Sequence, residues 1–366
     1  MRVGIITKIG KNYGAVLQAY ALKKKLCNMG ADAHVIKYTP INSQKSYKVL
    51  RYPWRFAGTV ENIKAALHFA DHKKCSEKFY DFRNEFYDFI GEYQNDEEIE
   101  KNPPQCDIYI TGSDQVWNPQ ISFDRAFYCM FAKKYPNSKI ASYAASIGLS
   151  KIPNKYMEEF HSRIKQFDYI SVRESQAINI LEQMGITAKI APDPTLLLSK
   201  QEWQSIAIKP IEEPYILCYF VSFPRGIENV VDQIKKKFGY KVINLMTSED
   251  SSKIGDVKIR NAGPREFLGL FENASFVITS SFHGTVFSLI NRKPFVVTLY
   301  KSTSSRVTQL LETYNLADRI ITPDCKNISS YCNTDIYSNE FEEMIKDTRV
   351  TGTRILEEIM GDYNDC

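Results

Sequence analysis

Between Phe276 and Leu299 the chain spells out a complete strand–turn–helix–strand unit. Phe276-Val277-Ile278-Thr279 reads as a buried strand, Ser280-Ser281-Phe282-His283-Gly284 as a tight turn, Thr285 to Asn291 as the start of an apolar helix, and Phe295 to Leu299 as a second buried strand. Short apolar runs without polar alternation suit strands buried on both faces, which belong to parallel sheets covered by helices. His283 falls between the end of a strand and the start of a helix. Ligands of open parallel sheets bind beyond the carboxyl ends of strands. A helix amino terminus there attracts phosphate or carboxylate, and a histidine can donate a proton near neutral pH. Taken alone, such a histidine is more often a core residue that ends a strand, so the rest of the chain decides its meaning.

The same rhythm runs through most of the sequence. Val3 to Thr7 is a strand, Asn12-Tyr13-Gly14-Ala15 a loop, Val16 to Leu22 the opening of a helix that ends near Gly30, and Ala33 to Tyr38 the next strand. Further strands are expected at Asp107 to Thr111, Lys139 to Ser142, Tyr169 to Val172, Tyr215 to Val221 and Lys241 to Leu245. Each ends in small and polar residues, where ligand loops belong. The first loop lacks Gly-x-Gly-x-x-Gly spacing, which argues against a dinucleotide cofactor.

Residues 41–105 break the alternation and read as a helical insertion. From 41 to 80 eight Lys/Arg stand against three Asp/Glu, with Tyr47, Tyr52, Trp54 and Phe56 among them. This is either a solvated helical hairpin or a basic, aromatic surface for an anionic membrane or a lipid-linked substrate. The domains are expected at 1–195 and 196–335, with a helix in 336–366 packing across their junction.

The length of 366 residues fits about two domains, and a net charge of +4 is too small to argue for nucleic acid. Eight scattered cysteines without a Cys-x-x-Cys pair point to reduced thiols and a cytoplasmic home. The start reads as a strand with no signal peptide, and no apolar run approaches membrane-spanning length. His68 and His72 stand four apart but lack a third ligand, so no metal is implied.

Five pieces together resemble the polysaccharide pyruvyl transferase family: Asn12 to Ala15 with Leu17-Gln18-Ala19-Tyr20-Ala21-Leu22, Gly112-Ser113-Asp114-Gln115-Val116-Trp117-Asn118, Ser171-Val172-Arg173-Glu174, Asp193-Pro194-Thr195, and Ser280 to Gly284. Each alone is weak, and their shared order carries the resemblance. It implies an α/β protein of two Rossmann-like domains facing a cleft, similar to GT-B glycosyltransferases. It also implies transfer of pyruvate from phosphoenolpyruvate to a saccharide as a cyclic ketal, in assembly of a bacterial surface polysaccharide such as capsule or exopolysaccharide. Phosphoenolpyruvate is then a co-substrate, and no cofactor is needed.

The resemblance places catalysis on His283 and offers Arg173 for the donor carboxylate, which an arginine fork suits. The plainer role for Arg173 is an ion pair with Glu174 or another acid. Better-described members carry an arginine two residues before the histidine, where this chain has Ser281. Phosphate then falls to Ser280, Ser281, Gly284 and the turn N–H groups, or to Lys301 or Arg306. Asp114 is either a general base for an acceptor hydroxyl or an Asx turn. Gly112, Ser113, Asn12, Tyr13 and Gly14 complete the candidate set, and Asp193 reads as a structural turn. The expected partners are phosphoenolpyruvate and a saccharide acceptor, lipid-linked or free, at the inner face of the plasma membrane. The rival readings are a sugar-nucleotide glycosyltransferase or epimerase of the same architecture, and a saccharide-binding protein without turnover.

Overall fold

The computed structural model describes residues 1–40, 68–247, 253–299 and 304–361. The chain divides into two compact units. Unit 1 comprises Met1–Ala65, Arg83–Leu198 and Asp347–Cys366; unit 2 comprises Ala66–Phe82 and Ser199–Lys346.

Unit 1 holds strands β1 (Arg2–Ile6), β2 (Asp32–Tyr38), β3 (Ile90–Tyr93), β4 (Ile108–Thr111), β5 (Lys139–Ala145), β6 (Tyr169–Val172) and β7 (Lys189–Ile190). They form one parallel sheet in the order β3-β2-β1-β4-β5-β6-β7. Unit 2 holds β8 (Tyr215–Tyr219), β9 (Lys241–Leu245), β10 (Val257–Ile259), β11 (Phe276–Thr279), β12 (Phe295–Thr298) and β13 (Ile320–Ile321). Its parallel order is β10-β9-β8-β11-β12-β13. Each sheet reverses its strand order once, between β1 and β4 and between β8 and β11. Two neighbouring strand ends there send their loops apart, which opens the crevice where doubly wound sheets take ligands. The central strands β4, β8 and β11 are buried at every residue, as their unbroken apolar runs require.

Three features differ from the sequence expectation. Residues 68–105 are not all helical: after the helix Phe69–Phe86 comes β3, which extends the first sheet at its edge. Four residues that include Gly91 and Glu92 carry too little alternation to announce a strand. Second, Phe69–Phe82 of that helix belongs to unit 2, and the first unit runs to Leu198 rather than 195. Third, the helix Asn339–Met360 is shared, with the part from Asp347 onward belonging to unit 1. There Ile355, Leu356 and Ile359 join Val3, Ile5, Leu22 and Leu26 in one core. Gly352 permits this fit, because a Cβ on it would lie 2.7 Å from Tyr143 Oη and 2.9 Å from Pro192 Cγ. The basic, aromatic stretch proposed over 41–80 lies outside the described residues up to position 67.

Candidate functional site

In unit 2 the switch-point loops are those after β8 and β11. The turn after β11 is shorter than its sequence suggests: the helix runs Phe282–Ile290, with Ser281 as its cap. His283 and Gly284 therefore sit in the first helical turn rather than in a loop. Three successive hydroxyls lock the turn. Thr279 Oγ1 donates to the Tyr219 carbonyl at 2.7 Å and accepts from Ser281 N–H at 3.1 Å. Ser280 Oγ donates to the Ser222 carbonyl at 2.8 Å, tying the β8 loop to the β11 loop. Ser281 Oγ accepts from Gly284 N–H at 3.2 Å, a serine N-cap. Gly284 is required for close approach, since a Cβ there would lie 3.1 Å from both Thr279 Cβ and Tyr219 Cδ1. His283, half-buried, has its Nε2 withdrawn from solvent, and its ring meets Phe282 edge-on with centroids 5.2 Å apart. The candidate hydroxyls Ser280 and Ser281 are thus already committed to holding the turn that carries the histidine. Arg306 is half-buried in the helix Ser304–Thr313, and Lys301 lies outside the described residues.

In unit 1 a polar chain runs under the carboxyl ends of four strands. Gln18 Nε2 donates to Thr7 Oγ1 at 3.1 Å, and Thr7 Oγ1 donates to the Ser113 carbonyl at 2.6 Å. Arg173 Nη1 donates to Ser113 Oγ at 3.1 Å and to Asp193 Oδ2 at 2.8 Å. Asp193 Oδ1 in turn accepts from Thr195 N–H and Oγ1 at 3.0 and 2.6 Å. The Arg173 side chain is 3% exposed and that of Asp193 fully buried. Burial pulls the guanidinium pKa down, but Asp193, Glu174 and Asp114 outweigh it and leave the pKa raised. Arg173, offered as a donor-carboxylate ligand, is therefore held between acids of its own unit, with Glu174 Oε2 3.9 Å from its Nε.

Sequence reasoning missed the work of Glu174. Its Oε1 accepts from Ser146 Oγ, Ile147 N–H and Gly148 N–H, each at 2.9 Å. A buried carboxylate thereby shapes the loop after β5. The signal was a glutamate directly after a strand beside an arginine, but its partners lie 26 to 28 residues away.

Asp114 takes a positive φ of 86°, a conformation that costs a non-glycine residue energy and persists where its surroundings impose it. A parallel bridge to Ala145 and the bonds from Val116 and Ser146 N–H to the Asp114 carbonyl supply that constraint. Its Oδ1 accepts from Gln115 N–H at 2.7 Å, while Gly112 N–H is held by the Ile6 carbonyl at 2.9 Å. Asn12, Tyr13 and Gly14 are not a loop. Asn12 caps the helix Tyr13–Asn28, accepting from Ala15 N–H at 3.2 Å, and Tyr13 and Gly14 are buried in its first turn.

The sequence profile of the family described as polysaccharide pyruvyl transferase matches residues 12–302. A search of curated proteins finds no match. Solved structures share the fold. A putative UDP-N-acetylglucosamine 2-epimerase from Listeria monocytogenes superposes with a TM-score of 0.53 at 12% identity, covering 100% of this chain and 97% of its own. The UDP-GlcNAc 2-epimerase of Neisseria meningitidis gives 0.52 at 11% identity, covering 98% and 99%. That of Methanocaldococcus jannaschii gives 0.50 at 14%, again covering 98% and 99%. At such identities the likeness establishes the two-Rossmann, GT-B type of architecture and nothing of the reaction. With both sheets in doubly wound order and the family profile spanning the strand-end loops of each, the chain belongs to the polysaccharide pyruvyl transferase family.

Proposed function

We propose that the protein transfers pyruvate from phosphoenolpyruvate to two hydroxyls of a saccharide, forming a cyclic ketal in a surface polysaccharide or its lipid-linked precursor. The observation that carries this reading is His283, fixed in the first turn of a helix at the switch point of unit 2 by three hydroxyl locks and a glycine. A helix amino terminus favours the phosphate of the donor. In this reading the imidazole delivers a proton to the methylene carbon of the enol as a general acid. As that C–H bond forms, an acceptor hydroxyl adds to the neighbouring carbon, its proton passing to an oxygen of the donor's own phosphate. Phosphate then leaves with the C–O bonding pair, and the second hydroxyl closes the ketal, returning its proton to the imidazole. No redox partner or cofactor enters this balance. Arg173, neutralised by Asp193, fixes the loops after β4 and β7 within unit 1.

The test is phosphate release from phosphoenolpyruvate in the presence of saccharides, with nucleotide sugars as controls. We expect phosphate release and no nucleotide release. His283→Ala should lose about a hundredfold in turnover with its melting curve unchanged, the usual contribution of a positioned acid. His283→Gln should retain donor binding without turnover. A destabilised but active His283→Ala protein would remove the histidine from the chemistry.

A further inference from the structure

Tyr219, the last residue of β8, belongs to none of the motifs above. β8 and β11 pair in parallel register, which sets Tyr219 beside Thr279 at the switch point of unit 2. Its carbonyl accepts from Thr279 Oγ1 at 2.7 Å and from Ser280 N–H at 3.3 Å. Its ring lies against the first turn of the helix Phe282–Ile290, close enough that a Cβ on Gly284 would stand 3.1 Å from its Cδ1. Its side chain also hydrogen-bonds that of Ser281. One residue thus touches positions 279, 280, 281 and 284, on both sides of His283 in the chain.

The ring is itself held from behind. It is 2% exposed and meets Phe267 and Phe271 edge-on, with centroids 5.3 and 5.9 Å away. Both phenylalanines sit on the helix Pro264–Asn273, and both also meet Phe287, at 5.5 and 6.2 Å. Phe287 lies one turn beyond His283 on the same helix. The helix that carries the imidazole is therefore gripped in its first turn by Tyr219 and in its second by the rings that back Tyr219. Edge-to-face rings in a close-packed interior leave such a grip little play. A catalytic side chain must be held within about 0.5 Å of its productive place. A Gly284 that sinks toward a smaller neighbour takes His283 with it. We propose that Tyr219 is a positioning residue for His283, its ring setting the height and tilt of the helix start so that the imidazole meets its ligand in one orientation. This rests on the transferase reading for the chemistry at His283, while the placement of the imidazole can be measured without it.

A graded series at position 219 tests this in the full chain, read by NMR of carbon-13-labelled histidine and by phosphate release from phosphoenolpyruvate with saccharide present. The chain has five histidines, so His283→Gln assigns the imidazole cross-peak. Tyr219→Phe keeps the ring and should leave that cross-peak in place and turnover within about threefold. Tyr219→Leu removes the ring. It should move or split the His283 cross-peak with the other four unchanged, and lower kcat at least about tenfold, by more than it raises KM. Phe271→Leu leaves Tyr219 in place and loosens its backing, so it should move the same cross-peak by less. It decides the matter if Tyr219→Leu does not fold, and an unmoved cross-peak there overturns the proposal. A Tyr219→Leu protein that melts lower yet keeps the wild-type cross-peak and kcat also overturns it, since the ring then packs without positioning. An equal loss in Tyr219→Phe does the same, by placing the effect on the hydroxyl. The two ideas fail separately. No phosphate release from the wild type, with the cross-peak still moving in Tyr219→Leu, sinks the transfer chemistry and sustains the positioning; release with an unmoved cross-peak does the reverse.

Discussion

Arg173 shows how a residue's setting can change the meaning of its motif. An arginine after a strand invites a substrate carboxylate, yet this one already faces Asp193 and Glu174 in the protein interior. Removing one partner of a buried ion pair strands the other charge, at a cost of about 3–5 kcal/mol. Arg173→Met should therefore lower stability by that order in urea titration, and an unchanged midpoint would mean the pair is open to solvent. Asp124 gives a second measurement. Burial holds its carboxyl above the usual range despite the Ser122 hydroxyl bonded to it at 2.9 Å. Above that raised pKa the folded state carries a charge it disfavours, and below the unfolded value near 4 both states are protonated. Asp124→Asn should thus raise the melting temperature at pH 7, with the gain fading as pH falls toward 4. The sequence located Arg173 but not its role, because its partners are set by the order of strands and not by local spacing. Arg173 reaches Ser113 across 60 residues.

At the level of elements, the unit from β11 to β12 was readable because apolar runs, hydroxyls and glycine fall in the order that builds it. Its helix start was misplaced by three residues, since the capping role of Ser281 depends on its bond to Gly284 N–H. Ser281→Ala should cost about 1 kcal/mol, the usual loss of an N-cap, measured by thermal melting. Ser281→Asp should keep the cap yet set a negative charge beside the proposed phosphate place. It should therefore retain stability and raise the donor KM. Equal donor kinetics in both variants would move the phosphate away from this helix. Strands β3, β10 and β13 escaped the sequence reading because each has four residues or fewer and lies at or near the edge of its sheet, where burial does not impose an apolar run.

Across the whole molecule, charge and connectivity matter most. The excess of basic residues over 41–80 predicts sedimentation with anionic vesicles that weakens as salt rises, and equal sedimentation with neutral vesicles would discount it. Among the described residues no helix is long and apolar enough to cross a membrane. Connectivity gives a sharper expectation. Because Ile355, Leu356 and Ile359 complete the core around Val3 and Leu26, deleting the chain from Asp347 onward should unfold unit 1 while leaving the segments of unit 2 intact. Two separate transitions in calorimetry of the full chain, reduced to one in the truncated form, would bear this out; two intact transitions in the truncated form would refute it. The same arrangement sets a timetable for the nascent chain. Every strand of the first sheet has left the ribosome by Ile190, yet the helix that seals its core emerges only after the whole of residues 199–346. Unit 2 can therefore finish folding first, and any product cut short within it carries an unsealed first sheet, exposed apolar surface that a cell's quality control recognises.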